Sequence, residues 1–208
     1  IKVIGVEPAN ANCMQVSIKN GKVTTLPSVS TIADGTAVKT PGSNIFPYIK
    51  KNLDDIITVE DDELIVAFLD MVENHKMIVE NSGLLSVAAL KKLNVSGKKV
   101  VSIISGGNMD VITMSSVVQH GLIQRGRVFS VSVLLPDKPG ELLKVAKVIA
   151  DAKGNVIKLE HNQFVSINRN AAVELKITLE AFGIDHKNEI IAALKKAGYD
   201  PKSVQTSF

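Results

Sequence analysis

The first half of the chain combines short apolar runs with stretches in which apolar residues recur at helical spacing. Residues 3–6 and 55–59 are apolar runs bounded by charged or turn residues, which predicts two buried strands. A helix is predicted directly after acidic residues 61–63, because the helix dipole favours negative charge at that end. The apolar positions of this helix share one face: Leu64, Ala67, Phe68, Met71 and Val72.

The rest of the first half predicts three helices and one strand. Residues 45–52, 84–93 and 109–124 are predicted as helices, and the β-branched run at 99–104 as a third strand. Buried parallel strands are continuously apolar in this way. Strands that alternate with helices predict an α/β fold, with a parallel sheet and flanking helices.

The second half has a different pattern. Phe129, Val131 and Val133 alternate with two serines, which predicts a strand with one solvated face. The following segments are predicted as helix 142–150, strands 155–164 and 173–180, helix 185–197 and strand 204–206. The order β-α-β-β-α-β is that of a ferredoxin-like unit. We therefore predict two domains, 1–125 and 126–208, with the boundary near Gly126.

Composition excludes several classes of function. The 208 residues are 45% hydrophobic and 22% charged, which is ordinary for a globular protein. The net charge of +3, the low aromatic content and the absence of Trp argue against a nucleic-acid partner. A single cysteine, Cys13, excludes an intramolecular disulfide. No apolar run approaches the roughly 18 residues of a membrane span, so we expect a cytoplasmic protein without a membrane partner.

Because Ile1 opens the chain inside a predicted strand, we also expect a C-terminal piece of a longer protein.

The strongest local signal is the turn Ser105-Gly106-Gly107-Asn108. It lies between a predicted parallel strand and a helix N-terminus, where ligands bind in open α/β sheets. The alternative is a purely structural turn in which Asn108 or Asp110 caps the helix.

Four ordered motifs resemble those of pyridoxal-phosphate threonine dehydratases, a group that is similar to serine dehydratases and serine racemases. The motifs are Gly5-Val6-Glu7-Pro8, Thr31-Ile32-Ala33-Asp34-Gly35, Val79-Glu80-Asn81-Ser82-Gly83 and Ser105-Gly106-Gly107-Asn108. The resemblance implies the C-terminal part of a fold-type II pyridoxal-phosphate domain. It also implies that Ser105 bonds the cofactor's pyridine nitrogen, that Gly35 and Gly106 allow close approach, and that Asp34 and Glu80 line the cofactor wall.

A divalent-cation site is a further implication of the resemblance. In metal-activated relatives, the residue corresponding to Glu7 joins a backbone carbonyl, here that of Ala11, and an Asp carboxylate. Cys13 stands at the Asp position. Since Mg²⁺ and Ca²⁺ prefer oxygen ligands, the predicted site lacks one of its usual ligands. The four histidines have no metal-ligand spacing.

One expected motif is absent from the sequence. The family's Schiff-base lysine lies in a motif of the type Ser-Phe-Lys-x-Arg-Gly, and the chain contains no such motif. The lysine is both the covalent anchor and a base, so we expect these residues alone to be inactive. The family's glycine-rich phosphate loop is also missing, and both features would precede residue 1.

The second half resembles an ACT regulatory domain. Two segments correspond to the effector-binding regions of such domains, and the residues are Pro139, Gly140, Glu141, Leu142, Asn155 and Val156. In ACT domains that bind amino acids, these regions of paired subunits enclose the effector. The resemblance therefore implies a homo-oligomer regulated by a small effector, such as isoleucine, valine or a nucleotide. An unliganded turn and a simple dimer contact remain the alternative.

The whole resemblance implies an allosterically regulated threonine ammonia-lyase of amino-acid metabolism, with a role in isoleucine biosynthesis. It would convert L-threonine to 2-oxobutanoate and ammonia, and L-serine to pyruvate. Two alternatives stay open. The chain could be a non-catalytic amino-acid-sensing or assembly module, as the missing lysine suggests, or part of a serine racemase of the same cofactor family.

Overall fold

The computed structural model describes residues 1–162 and 173–206. Its N-terminal unit contains two parallel strands, β1 (Ile4–Pro8) and β2 (Asp55–Val59), whose pairing runs from Ile4 with Asp55 to Pro8 with Val59. Both strands lie where the apolar runs predict them. Helix α2 (Phe46–Asn52), with Pro47 in its first turn, leads into β2 and is confirmed as well.

Helix α1 (Cys13–Asn20) follows β1 and has no counterpart among the sequence predictions. Its sequence lacks a strong apolar face, and the N-cap residue Asn12 makes no side-chain capping bond. The carboxylate of Glu7 on β1 bonds two amides of its first turn instead. Since the capping group lies outside the local sequence, local start signals did not reveal this helix.

Helix α3 (Asp61–Asp70) begins at the predicted acidic residues. Glu60 and Glu63 form a reciprocal capping box, in which Glu63 Oε2 accepts a hydrogen bond from the Glu60 amide at 2.8 Å. Lys92 Nζ lies 2.7 Å from the same Glu63 oxygen and also donates to the Thr58 carbonyl at the end of β2. The start of α3 is therefore tied to both β2 and the segment around residue 92.

Two further helices follow α3, and the second of them extends beyond the N-terminal unit. Helix α4 (Leu85–Ala88) is flanked by 3₁₀ turns at Asn81–Leu84 and Ala89–Lys92, and α5 spans Val111–Gln124. These elements pack around one buried core, whose largest fully buried side chains are Val59, Leu64, Phe68, Val79 and Leu84. The core lies between β2 and the helices that follow it.

The third predicted strand, residues 99–104, is wrong. The segment has no strand structure, and it exposes Val101 by 89% and Ile103 by 77%. Serine side chains hold it: Ser86 Oγ donates to the Ile103 carbonyl at 2.7 Å. A strand needs a neighbour that completes its hydrogen-bond ladder, and in the described residues β1 and β2 pair only with each other. The α/β class holds, but this sheet has two strands.

The C-terminal unit has the predicted β-α-β-β-α-β order. Its elements are β3 (Val128–Leu135), α6 (Glu141–Asp151), β4 (Asn155–Asn162), β5 (Val173–Glu180), α7 (Ile184–Lys196) and β6 (Lys202–Val204). The antiparallel sheet has the order β4-β5-β3-β6, which is the ferredoxin-like arrangement. The predicted end of the second strand, 163–164, lies outside the described residues.

One face of this sheet packs against α6 and α7. The alternating apolar residues of β3 and β5 bury against both helices, and the fully buried members are Val131, Val133, Val145, Ile149, Leu175, Ile177, Leu179, Ile190 and Leu194. Period-2 alternation in the strands and helical spacing in α7 predicted their part of this core correctly. In α6 the buried residues are Val145 and Ile149, whereas Leu142 and Leu143, which the sequence pattern places on the apolar face, are 44% and 73% exposed.

The serine face of β3 corrects a second expectation. It was predicted to be solvated, yet Ser130 is 2% and Ser132 8% exposed. Ser130 Oγ bonds Thr178 Oγ1 on the neighbouring strand at 2.8 Å, and Ser132 Oγ donates to Glu174. Hydroxyls that pair across strands remain satisfied without water, so alternating polarity did not mean exposure here.

The chain divides into the units Ile1–Val118 and Gln119–Phe208. The division falls inside α5, before the Gly126 linker at which the sequence predicts it. No helix within residues 1–162 and 173–206 is both long and apolar enough to cross a membrane.

Two leucines of the C-terminal unit provide a matched test of its core. Leu194 on α7 is fully buried, whereas Leu143 on α6 is 73% exposed. We expect Leu194→Ala to lower the free energy of unfolding by about 2–5 kcal/mol, and Leu143→Ala to change it by less than about 0.5 kcal/mol. Urea unfolding monitored by circular dichroism measures both, and equal effects would contradict the assigned core.

The contact between Lys92 and Glu63 predicts a pH effect. Burial raises the pKa of Glu63, but the hydrogen bond and charge of Lys92, with the Glu60 amide, outweigh burial and hold it below its usual value. A lowered pKa stabilises the fold above the unfolded-state pKa, and that stabilisation is lost as pH falls through the folded value. We expect Lys92→Met to raise the pKa of Glu63, measured by carboxyl NMR titration. Lys91→Met, whose lysine pairs with Asp70 instead, is the control.

Candidate functional site

Three loop segments that are distant in sequence meet in the N-terminal unit: residues 32–35, 80–83 and 105–106. The amide of Glu80 donates to the Gly106 carbonyl at 3.3 Å. Asn81 Nδ2 donates to the Ile32 carbonyl at 3.0 Å. Segment 80–83 is therefore hydrogen-bonded to both of the others and lies between them.

Gly106 allows the side chain of Glu80 to approach the backbone closely. Its φ is +74°, and a Cβ added there would lie 2.0 Å from the carboxyl carbon of Glu80. Any larger residue would displace Glu80 and would strain the left-handed backbone. The side chain of Glu80 thus packs directly on the backbone of the Ser105-Gly106 turn.

Gly83 allows an even tighter contact between backbones. A Cβ at this position would lie 1.6 Å from the carbonyl oxygen of Ser105. A backbone atom cannot move away at low cost, so the crossing of the two segments requires glycine. This contact fixes the position of the Ser105 backbone relative to segment 80–83, which contains Glu80.

Gly35 extends the same surface on the other side. A Cβ there would lie 2.9 Å from Ser82 Oγ and 3.9 Å from Glu80 Oε1. The predicted cofactor residues Gly35, Glu80 and Gly106 are therefore neighbours in the structure.

We call the place where segments 32–35, 80–83 and 105–106 meet the glycine junction. Two buried polar atoms at this junction have no hydrogen-bond partner among the described residues: Asn81 Oδ1 and Ser82 Oγ. Asn81 is only 4% exposed, and its amide nitrogen is held by Ile32, which fixes the direction of its oxygen. An unsatisfied buried polar atom costs about 1–3 kcal/mol. The junction therefore presents hydrogen-bonding capacity that the described chain does not use.

A cleft of about 500 Å³ opens beside the junction. Its lining mixes apolar side chains with three carboxylates and other polar groups, contains no lysine, arginine or histidine, and consists of Thr31, Ile32, Asp34, Glu80, Asn81, Asn108, Met109, Asp110, Ile112, Thr113, Ser116 and Val117. Asp34 lies at the cleft, and its carboxylate accepts the Gly35 amide at 2.9 Å. Ser105 is exposed and is not part of the lining.

Asp110 caps α5, as the structural interpretation of the turn predicts. Its Oδ1 accepts the amides of Ile112 at 2.9 Å and Thr113 at 3.0 Å. The hydrogen bond from the Thr113 hydroxyl, followed by its amide, holds the pKa of Asp110 below the usual value. Asn108 and Asp110 both line the cleft, so capping of α5 and a ligand cleft at this turn are compatible.

The three residues of the predicted cation site lie close together, at the junction of β1 and α1. Glu7 Oε1 and Oε2 accept the amides of Met14 at 2.9 Å and Gln15 at 2.8 Å. Cys13 Sγ is 4.0 Å from Glu7 Oε1, and both Ala11 and Cys13 are buried. Burial raises the pKa of Glu7, while the amides of Gln15 and Met14 oppose that rise.

A second cleft, of about 310 Å³, lies in the C-terminal unit. Four predicted effector residues line it, together with the preceding turn and three strand residues: Leu135, Pro136, Asp137, Lys138, Pro139, Gly140, Glu141, Leu142, His161 and Leu175. Asn155 and Val156 lie at the start of β4 and are not part of this lining. The structure thus brings Pro139–Leu142 to a cleft and leaves the other two residues outside it.

Sequence reasoning missed two residues at these clefts. His161 of β4 was assigned no role, because it has no metal-ligand spacing. Asn81 was part of a quoted motif without a role of its own. The signal for both is spatial: His161 faces the turn at 136–140 across the sheet, and Asn81 is recognised only by its unpartnered oxygen.

Curated relatives match nearly all of the chain. It is 38% identical over 201 residues to an L-threonine ammonia-lyase of Geobacter sulfurreducens, covering 96% of this chain and 50% of that protein. It is 34% identical over 205 residues to an L-threonine ammonia-lyase of Thermotoga maritima, covering 98% and 51%. The chain therefore spans about half the length of these relatives.

Solved structures agree with the fold of part of the chain. The processed form of threonine deaminase isoform 2 from Solanum lycopersicum superposes with a TM-score of 0.52 at 31% identity, covering 57% of this chain and 34% of that one. Maize serine racemase superposes with a TM-score of 0.51 at 32% identity, covering 61% and 40%.

A family profile matches the part of the chain that contains the glycine junction. Residues 1–106, just over half of the 208, match the family described as pyridoxal-phosphate dependent enzyme. The match ends at Gly106, so it includes all three segments that meet beside the cleft. The chain belongs to the pyridoxal-phosphate dependent enzyme family.

Proposed function

We propose that this chain is the C-terminal half of a cytoplasmic threonine ammonia-lyase, which converts L-threonine to 2-oxobutanoate and ammonia and acts similarly on L-serine. The observation that carries the proposal is the meeting of Gly35, Glu80 and Gly106 beside a cleft that three carboxylates line. The names of the Geobacter and Thermotoga relatives support threonine as the substrate. The lysine that completes such an enzyme would belong to a preceding half.

The residues of the junction fit pyridoxal phosphate. The cleft of about 500 Å³ beside the junction has room for a flat ring, and two unpartnered buried oxygens remain available for polar contacts. When bound, the cofactor draws electrons away from the α-carbon of an amino acid, which allows the α-proton and then the β-hydroxyl to leave.

Each junction residue has a distinct proposed role. Ser105 holds the ring nitrogen through a neutral hydroxyl, which does not favour ring protonation and so suits elimination. Gly35 and Gly106 let backbone approach the ring closely. Glu80 and Asp34 form the acidic wall, and the bond from the Glu80 amide to Gly106 keeps the turn in place.

We propose an ACT regulatory role for the C-terminal unit. Its β-α-β-β-α-β topology and the cleft at Pro139–Leu142 support binding of a small amino acid or nucleotide effector. Asn155 and Val156 would contribute from a second copy, because they lie away from this cleft in their own chain. Strand β4 is at the edge of the sheet and exposes Val156, Ile157 and Leu159 by 37–46%, which favours pairing between copies.

Two other functions are outcomes of the same experiment. Likeness to maize serine racemase favours a racemase of this cofactor family. A non-catalytic sensing module is the alternative if no lysine-bearing half completes the protein.

The role of Ser105 is testable in the protein that joins these residues to a lysine-bearing catalytic half. We expect Ser105→Ala to lower kcat/KM for L-threonine about 10- to 100-fold, because it removes one hydrogen bond to the ring. Ser102→Ala is the matched control, since its hydroxyl donates only to the Ser86 carbonyl, at 3.4 Å. The measurement is 2-oxobutanoate formation with and without isoleucine.

Each alternative has its own result in this experiment. Racemised L-serine without 2-oxobutanoate would establish the racemase. Neither product, with no cofactor absorbance, would leave the sensing module. Equal loss in Ser105→Ala and Ser102→Ala would contradict the role of Ser105 while leaving the reaction in place.

Pairing through β4 predicts a change of oligomeric state. We expect Leu159→Lys to convert a micromolar dimer or larger oligomer to smaller species, because it places a charge on the exposed edge strand. Leu143→Lys, on the exposed surface of α6, is the control and should leave the assembly intact. Sedimentation equilibrium measures both, and a monomeric wild-type protein at micromolar concentration would contradict the proposal.

A further inference from the structure

The carboxylate of Glu7 lies at the N-terminus of α1 and is bonded to it through both oxygens. Oε1 accepts the amide of Met14 at 2.9 Å, and Oε2 accepts the amide of Gln15 at 2.8 Å. Met14 and Gln15 are the second and third residues of α1. Their amides are among those that a helix cannot satisfy internally.

Glu7 therefore does the work of an N-cap residue from outside the helix. Asn12 occupies the N-cap position but makes no capping bond with its side chain, which donates to Gln15 Oε1 at 3.0 Å instead. Gln15 Nε2 in turn donates to the Ile56 carbonyl on β2 at 3.1 Å. The carboxylate thus belongs to a chain of bonds that connects β1, α1 and β2.

The surroundings of Glu7 do not fit a divalent cation, which the resemblance to metal-activated relatives implies at this place. Mg²⁺ and Ca²⁺ bind about six to eight oxygen ligands. Cys13, at the position of the expected carboxylate, is a thiol that donates toward Glu7 Oε1 at 4.0 Å. Sulfur is a soft ligand, whereas Mg²⁺ and Ca²⁺ bind oxygen, so Cys13 is a poor ligand for either cation.

Two further observations point the same way. The side of the carboxylate that faces α1 meets the positive end of the helix dipole, which repels a cation. Within residues 1–162 and 173–206, no three His, Cys, Asp or Glu side chains are grouped so that they could hold a metal ion.

We propose that the helix amides replace the cation in this protein: Glu7 is the remote N-cap of α1, and the β1–α1 junction neither binds nor needs Mg²⁺ or Ca²⁺. The inference goes beyond the proposed reaction. Its test requires no turnover, so its failure and that of the proposed function are separately observable.

Thermal unfolding and Mn²⁺ binding test the proposal on the chain itself. We expect Glu7→Ala to lower the Tm by about 4 °C or more, as loss of a helix cap does in a unit of this size. Glu189→Ala removes an exposed carboxylate from α7 and is the matched control, with little change. Millimolar Mg²⁺, Ca²⁺ or EDTA should leave the Tm of the wild-type chain unchanged.

Mn²⁺ binding, followed by the loss of the free-ion EPR signal, addresses the cation directly. Wild type, Glu7→Gln and Glu189→Ala should bind Mn²⁺ equally weakly. Glu7→Gln keeps an acceptor for one amide, so it tests the cation even where Glu7→Ala fails to fold. One equivalent of Mn²⁺ bound by wild type and lost in Glu7→Gln would overturn the proposal, as would a Tm of Glu7→Ala equal to that of wild type.

Discussion

Close approach of backbone at glycine is the constraint on which the candidate site depends. At Gly83, a Cβ would lie 1.6 Å from the Ser105 carbonyl, and at Gly106, 2.0 Å from the Glu80 carboxyl carbon. These contacts decide which residues become neighbours: Glu80 lies on the turn rather than in solvent, and Ser105 emerges beside it. The site requires glycine at both positions, because a Cβ at either one would push the segments apart.

The two units differ in the number of strands that complete their sheets. The C-terminal sheet has four strands with α6 and α7 on one face, and its buried hydroxyls pair between strands. The N-terminal sheet has two strands, while the apolar run at 99–104 is exposed. Such a difference agrees with a chain that spans about half the length of its relatives.

Local sequence patterns predicted the elements whose causes are local. The acidic start of α3, the alternation in β5 and the helical spacing of α7 all depend on residues within a few positions of one another. Helix α1 was missed because its cap, Glu7, lies on the preceding strand. Residues 99–104 were wrongly predicted as a strand, because a strand also requires a partner. The serines of β3 pair with Thr178 and Glu174, which alternation does not reveal. For the site, the motifs identified Gly35, Glu80 and Gly106, but the unpartnered oxygen of Asn81 depends on packing.

The exposed segment at 99–104 has a consequence for the behaviour of the chain in concentrated solution. Val100 to Ile104 is β-branched except for Ser102, carries no charge and contains no proline, which are the features of segments that stack into cross-β assemblies. Lys98 and Lys99 precede this run, and Gly106 and Gly107 follow it closely. Charged residues and glycines beside such a run act as gatekeepers, since repulsion and backbone freedom both oppose ordered stacking. The two lysines would therefore contribute to colloidal stability, a role separate from folding and from chemistry.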